Sequence, residues 1–576
     1  MSLLPFGALP PYKPRRSVPE QIDLGDWAQI APLFDRLETA APAATTLPAF
    51  ESWLLDWSEL NAAVDEESSR RYIANSCHTD NPEAERAYLH FVENVEPQLK
   101  PRQFQLAQIY LAHPQRPQLP AARYKVFDRD TQLHVDLYRA ENVPLETEEA
   151  KLGQQYQKLA GSLTVTFRGE EKTLVQMGRY QEEPERALRQ EAWQTVAARR
   201  LQERDKFDEL LDQMVRLREQ IAANAGFQNY RDFAFRQRGR FDYAPEDCLR
   251  FHDAIAEHVV PALRTLQAER RGHLGLATLR PWDLAVDPLG RPPLRPFDRV
   301  DDLIGRTQRI FDRLDSGLAR GFDTMREQRL LDLDNRKGKA PGGYQSTLAE
   351  ARLPFIFMNA VGLQRDVETI LHEAGHAFHA LATRGEDLHA YRSAPIEFCE
   401  VASMSMELLG NEFIEEFYAP AEASRARRTH LEGIIAVFPW VATVDAFQHW
   451  LYTHPGHSRD ERRAAWNSLL DRFEGDIDWT DHADARANLW HRQLHIFLYP
   501  FYYVEYAIAQ LGALQVWANS KRNAAQALRD YQQALALGGS RPLPELFQAA
   551  GCRFAFDSET VKPLVELVKA ELAKLG

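Results

Sequence analysis

Residues 366–385 read Asp366-Val-Glu-Thr-Ile-Leu-His372-Glu373-Ala374-Gly375-His376-Ala-Phe-His379-Ala-Leu-Ala-Thr-Arg-Gly385. The stretch predicts a helix, with Asp366 as N-cap, Ile370 and Leu371 on an apolar side and Gly385 as the stop. On such a helix His372 and His376 are neighbours at i and i+4, so both imidazoles project from one face, where a single metal ion can bridge them. Glu373 is rotated by about 100° from His372, outside the coordination sphere but within reach of a water molecule held there. Mid-helix Gly375 costs about 1 kcal/mol relative to alanine, which points to another backbone packed close by.

The weight of the motif depends on its chance frequency. With 18 histidines in 576 residues, roughly half a pair at this spacing is expected at random, and requiring Glu after the first His lowers that to roughly one in twenty. A second pair, His491 and His495, has Arg492 where Glu is needed and receives no metal. His379 stands about 10.5 Å along the helix from His372, at ~1.5 Å rise per residue, too far for shared coordination. Position 382 is Ala, so a third histidine in the H-E-x-x-H-x-x-G-x-x-H pattern is also excluded.

A catalytic zinc has three protein ligands and an open position. The following segment, Ser393 to Gly410, predicts a helix opened by Pro395 and stopped by Gly410, with Glu397, Glu400 and Glu407 near one face. Periodicity leaves all three as candidates. Glu397 suits a first-turn charge favoured by the helix dipole, and Glu407 suits a supporting role better than ligation.

Elsewhere the chain reads as mainly helical. Phe207, Leu210, Leu211, Met214, Leu217 and Ile221 make one stripe, with Gly226 as the stop. Leu163 to Phe167 alternates strictly and, with Thr173 to Met177, predicts a β-hairpin closing an N-terminal lobe. The run Pro354 to Met358 predicts a buried or edge strand near the metal helix. The expected fold is thus mainly α, two helical lobes with a small β element, divided into residues 1–178 and a catalytic domain over residues 179–576.

Composition narrows the function classes. A net charge of -14 disfavours nucleic acid and anionic membranes, both of which require a cationic face. Cys77, Cys248, Cys399 and Cys552 are widely separated with no C-x-x-C pair, which argues against a disulfide framework or a thiolate zinc site. The start, MSLLPFGALPPYKPRR, is the reverse of a secretory signal. The apolar runs Leu353 to Leu363 and Ile434 to Val444 are shorter than the ~20 residues of a membrane span. A cytoplasmic protein is expected.

Three blocks resemble the thimet oligopeptidase family, specifically its oligoendopeptidase F branch. His372-Glu-Ala-Gly-His-Ala-Phe-His379 is similar to the family's H-E-x-G-H-x-x-H. Phe398-Cys-Glu-Val-Ala-Ser403 resembles the segment carrying the third ligand, which selects Glu400. His495-Ile-Phe-Leu-Tyr-Pro-Phe-Tyr-Tyr-Val-Glu-Tyr506 is similar to the His- and Tyr-rich segment that closes over the substrate. Gly342-Gly343-Tyr344 and Phe355 to Asn359 resemble the strand region along the substrate cleft. The matches run from Gly342 to Tyr506; the N-terminal third matches in length and helical character alone.

The resemblance implies a deep channel, short peptide substrates, one zinc ion on His372, His376 and Glu400, and Glu373 as general base. It further implies Tyr503 or Tyr506 as oxyanion donors with His495 beside them, and Tyr499, Gly343 and Tyr344 at the substrate. Independently of it, Tyr499, Tyr503 and Tyr506 at i, i+4 and i+7 predict one helix face after Pro500, a pattern equally suited to core packing. The rival functions are a carboxypeptidase or dipeptidyl carboxypeptidase with the same ligands, and a non-catalytic peptide-binding protein.

Overall fold

The computed structural model describes residues 3–174, 176–336, 338–340 and 342–575. Among these residues helices dominate, accompanied by a two-stranded and a three-stranded sheet. Two compact units form, each from three separated stretches. The first comprises residues 1–136, 294–427 and 512–554; the second comprises residues 137–293, 428–511 and 555–576. They interleave along the sequence.

The first unit builds its N-terminal core around Phe34, Phe50, Trp53, Leu54, Leu106 and Tyr110, all buried. Phe50 stacks on Trp53 at 5.6 Å and on the His113 ring at 3.9 Å. Such aromatic pairs contribute about 0.5–1.5 kcal/mol beyond the area they bury.

The long helix Leu47–Cys77 runs from this core to the three-stranded sheet, whose strands are β3 (Leu331–Asp334), β4 (Tyr344–Leu348) and β5 (Leu353–Ala360). β5 lies in the middle, parallel to β3 and antiparallel to β4. The run around Pro354 is therefore a central strand. Its proline is tolerated because pairing with β3 begins at Ile356, so Pro354 faces β4 alone.

Two polar anchors fix this sheet. The buried Glu66 carboxylate, on the long helix, accepts hydrogen bonds from the N–H groups of Glu350 and Ala351 at 2.7 and 2.8 Å, capping the β4–β5 turn. Lys339 has a fully buried side chain. Its ammonium donates to the carboxylate of Asp332 and to the carbonyls of Asp332, Asp334 and Met358, and it lies 4.4 Å from the Phe357 ring centre. Tyr344 covers the same ring, stacked at 4.8 Å.

In the second unit the hairpin forms between β1 (Thr164–Phe167) and β2 (Glu170–Thr173). The second strand begins earlier than residue 173 because Arg168 and Gly169 both have positive φ, 53° and 83°. They form a two-residue turn that pairs Phe167 with Glu170. Val175, within the expected strand, lies outside the described residues. The helix Arg204–Asn224 buries its predicted stripe except at Leu217, which is half-buried, and Gly226 closes it at φ 86°.

Removing Lys339 by alanine leaves Asp332 buried with Arg336 as its remaining cation, and is expected to lower stability by about 3 kcal/mol, measurable by urea unfolding. Burial alone would raise the Asp332 carboxyl, but hydrogen bonds from Arg336, Cys77 and Lys339 outweigh it and hold it down to about 2. A depressed folded-state value means that the stabilisation is complete above about pH 4 and fades as the pH falls towards 2. The melting-temperature gap between the parent and Asp332→Asn is therefore expected to shrink over that range.

Candidate metal centre

The motif helix spans Gln364–Ala382. Asp366 is its third residue rather than its N-cap, which is Leu363. From there its carboxylate reaches back to accept the N–H groups of Val361 and Leu363 at 2.8 and 2.9 Å. Thr383 caps the C-terminus two residues before Gly385. Val367, Ile370, Leu371, Ala374 and Phe378 form the buried side, with Phe378 packed edge-on to Phe311 at 4.9 Å.

The carboxylate helix, Ile396–Asn411, has Pro395 at its N-cap as expected. Gly410 is the penultimate residue of the helix rather than its stop, and Leu371 fills the space a Cβ would occupy, 2.8 Å away. The two helices approach closely at Gly375, where a Cβ would stand 2.6 Å from the carbonyl oxygen of Ala402 and the Cα of Ser403. The glycine thus accommodates a neighbouring backbone, as its position mid-helix predicts.

This contact sets Glu400 opposite the histidine pair. Glu400 Oε2 lies 3.4 Å from His372 Nε2 and 3.6 Å from His376 Nε2. One donor atom from each of the three residues falls within 4.8 Å of the others. The imidazoles are 4.9 Å apart and nearly perpendicular at 82°, as i and i+4 rings are when both face one point.

Supporting groups fix each donor. Glu407 Oε1 accepts a 2.6 Å hydrogen bond from His372 Nδ1, which leaves Nε2 directed at Glu400. The backbone of Cys399 engages the His376 ring. Ser403 Oγ donates to Glu400 Oε2 at 2.9 Å. Ser403 was not anticipated, although its i+3 spacing from Glu400 was available in the sequence. Glu397 is buried in the first helical turn and lies outside the donor group, as does His379, buried and pushed down to about 4 by desolvation.

Glu373 is buried beside the histidines, and the backbone of Gln345, in edge strand β4, engages its carboxylate. Burial, reinforced by Glu400 and Glu407, pushes its carboxyl up to about 7. Burial works against the charged form of His372, but Glu407, Glu400 and Glu373 outweigh it and lift the imidazole to about 9. Burial, with His372 and His379 adding to it, keeps His376 well below its ordinary value. Two imidazole nitrogens and a carboxylate oxygen aimed at one point, with two more carboxylates behind them, form a donor set suited to a borderline-soft dication.

Gly343 and Tyr344 belong to this unit, at the start of β4. A Cβ on Gly343 would meet the Phe357 carbonyl oxygen and Thr369 Cγ2 at 3.4 Å.

The second unit holds His495 and the tyrosines. Tyr499 does not share a helix with Tyr503 and Tyr506: it caps the short helix Leu494–Leu498 and is 51% exposed, whereas Tyr503 opens the helix Tyr503–Arg522. The break is at Phe501, φ 62°, where Gln448 accepts its N–H at 3.0 Å and the Arg240 guanidinium takes its carbonyl. The His495 ring still collects Tyr503 at 4.7 Å, Tyr502 at 5.7 Å, Tyr506 at 6.0 Å and Tyr499 at 6.2 Å. Tyr502 is an addition to the expected set. Burial, with Arg238 adding to it, pushes His495 down to about 4. His491, its sequence neighbour at i-4, instead faces Asp208 at 3.4 Å.

A helix carrying His-Glu-x-x-His, answered by a carboxylate from the next helix, is the donor arrangement of a metallopeptidase. The chain belongs to peptidase family M3: the family profile matches residues 179–565, and that of the peptidase M3 N-terminal domain matches residues 21–138. It is similar to oligopeptidase PepF of Bacillus subtilis, 25% identical over 232 residues, which span 39% of this chain and 34% of that protein. The aligned stretch thus spans about a third of that curated relative.

Similarity to solved structures extends further. PZ peptidase A, solved with an inhibitor, superposes with a TM-score of 0.88 at 28% identity, covering 96% of this chain and 98% of that one. Oligoendopeptidase F from Enterococcus faecium shares the fold at 14% identity, with a TM-score of 0.62 and coverage of 94% and 96%.

Replacing Gly375 with alanine would gain about 1 kcal/mol of helix propensity. The Cβ would, however, collide with the Ala402 carbonyl, and a net loss of about 1–3 kcal/mol is expected, together with weaker metal binding in equilibrium dialysis. Glu407→Gln should leave folding intact and weaken metal affinity by about 10–100-fold, read by competition with a chromophoric chelator.

Proposed function

We propose that this chain is a zinc-dependent oligoendopeptidase of the cytoplasm that hydrolyses internal bonds of short peptides. The observation that carries the reading is the convergence of His372, His376 and Glu400 on one point with Glu373 buried beside them. In this reading those three residues hold one zinc ion. Zinc supplies Lewis acidity, making water acidic enough to lose a proton near neutral pH.

Glu373 takes that proton on its carboxylate and delivers it to the leaving amine nitrogen. The Gln345 backbone orients the Glu373 carboxylate, and Glu407 keeps the His372 ring in the tautomer that presents Nε2. β4 is an edge strand, and an extended peptide can hydrogen-bond along such an edge; this supports a substrate role for the Gly343 to Tyr344 region. Catalytic roles for His495, Tyr503 and Tyr506, and a substrate role for Tyr499, rest on the family resemblance. They are tested by phenylalanine variants at the three tyrosines and glutamine at His495, with kcat and KM read separately.

Glu373→Gln is expected to retain one zinc at the His372 site and to lose about 10²–10⁴-fold in kcat on a quenched fluorescent peptide. Full activity in that variant would sink the reading. Product mapping by mass spectrometry on a peptide with a blocked C-terminus should show internal cleavage, with activity falling as substrates lengthen towards folded proteins.

A further inference from the structure

A second cluster of metal-binding side chains lies in the core of the other unit, assembled from two helices remote in sequence. Helix Pro245–Ala254 contributes Cys248 and His252, and helix Pro420–Thr453 contributes Asp445 and His449, each pair at i and i+4. This spacing turns both members of a pair to the facing helix, the way metal sites are built inside helical bundles. One donor atom each from Cys248, Asp445 and His449 lies within 4.8 Å of the others. All four side chains are buried, with exposures of 0% for Cys248, 1% for His252, 0% for Asp445 and 5% for His449.

Hydrogen bonding does not satisfy every polar atom of Asp445 and His449. His252 Nε2 lies 2.8 Å from Asp445 Oδ2 in a hydrogen bond. Asp445 Oδ1 and His449 Nδ1 have no hydrogen-bond partner, while His449 Nε2 faces Asp445 Oδ2 at 3.3 Å. Buried polar atoms are nearly always paired, and each one left unpaired costs roughly 1–3 kcal/mol. The rings of Phe235 and Phe501 stand 5.8 and 5.3 Å from His449, and Phe473 lies 6.2 Å from His252, so the surroundings are apolar. Among the described residues the ion-pair partners of Asp445 are the two imidazoles.

We propose that Cys248, Asp445 and His449 supply three ligands of a second metal site that takes a borderline-soft divalent cation, zinc foremost. A thiolate, a carboxylate and an imidazole make a zinc-type donor set. The thiolate and the carboxylate together neutralise a dication in a core that could not otherwise hold it. His252 stays outside the coordination sphere and orients the carboxylate through Oδ2, as outer hydrogen bonds to metal ligands do. Spacing along the chain could not reveal the site, because no two of its three ligands form a C-x-x-C or H-x-x-H pattern.

The test uses the full chain. Metal analysis of the purified protein should give two equivalents of zinc per chain, and His372→Ala/Glu400→Ala should retain one. After cobalt substitution, the parent and that double variant should both show the intense near-ultraviolet absorption of a thiolate-cobalt bond. Adding Cys248→Ser should abolish the absorption. A single equivalent in the parent, no metal in a folded double variant, or a cobalt spectrum without thiolate absorption would each overturn the proposal. The first and third of these readings need no altered residue, so misfolding of a variant cannot obscure the result.

Discussion

Two helical backbones meet at Gly375, and the candidate metal centre depends on that contact. Ligand geometry has to be held within fractions of an ångström, and side chains alone are too flexible to guarantee it. Bringing the Ala402 carbonyl and Ser403 Cα to within 2.6 Å of where a Cβ would sit removes the slack between helices. Glu400 then needs only one rotamer, held by Ser403, to face both histidines. The motif helix is fixed in turn by Asp366 at its start and by Phe378 against Phe311.

The surrounding sheet plays the complementary part. β5 is buried at almost every position and β4 lies against it, presenting the Gln345 backbone to Glu373. Glu66 and Lys339 hold this sheet from two sides with buried charge. Neither touches the donor group. Both satisfy backbone atoms that an isolated three-stranded sheet would leave to solvent, and a buried charge so engaged has few alternative positions.

Much of this was legible in the sequence where a single local period decides the answer. The i, i+4 histidines, the close contact at Gly375 and the stripe from Phe207 to Ile221 all follow from 3.6-residue geometry. The choice of Glu400 over Glu397 and Glu407 does not, since all three lie near one face; it required the relative placement of two helices, which the family resemblance supplied. The helix break at Phe501 was hidden because its cause is remote: Arg240 and Gln448 grip a backbone that periodicity alone would continue as helix. The second strand of the hairpin was displaced for a local reason, an arginine in the left-handed region, which residue preference disfavours.

The interleaved order of the chain also bears on how the metal centre comes into being during synthesis. The three donors and Glu407 leave the ribosome well before residues 512–554, yet those residues belong to the same unit. Within that late segment Tyr531 donates its hydroxyl to the Ala402 carbonyl, the same atom that crowds Gly375. The nascent chain therefore carries two histidines and several carboxylates before Tyr531, which braces the Ala402 carbonyl, has been made. Selection of the right cation is left largely to the finished fold rather than to the emerging ligands, because unconstrained donors of this type bind whichever transition ion is most abundant or most strongly held.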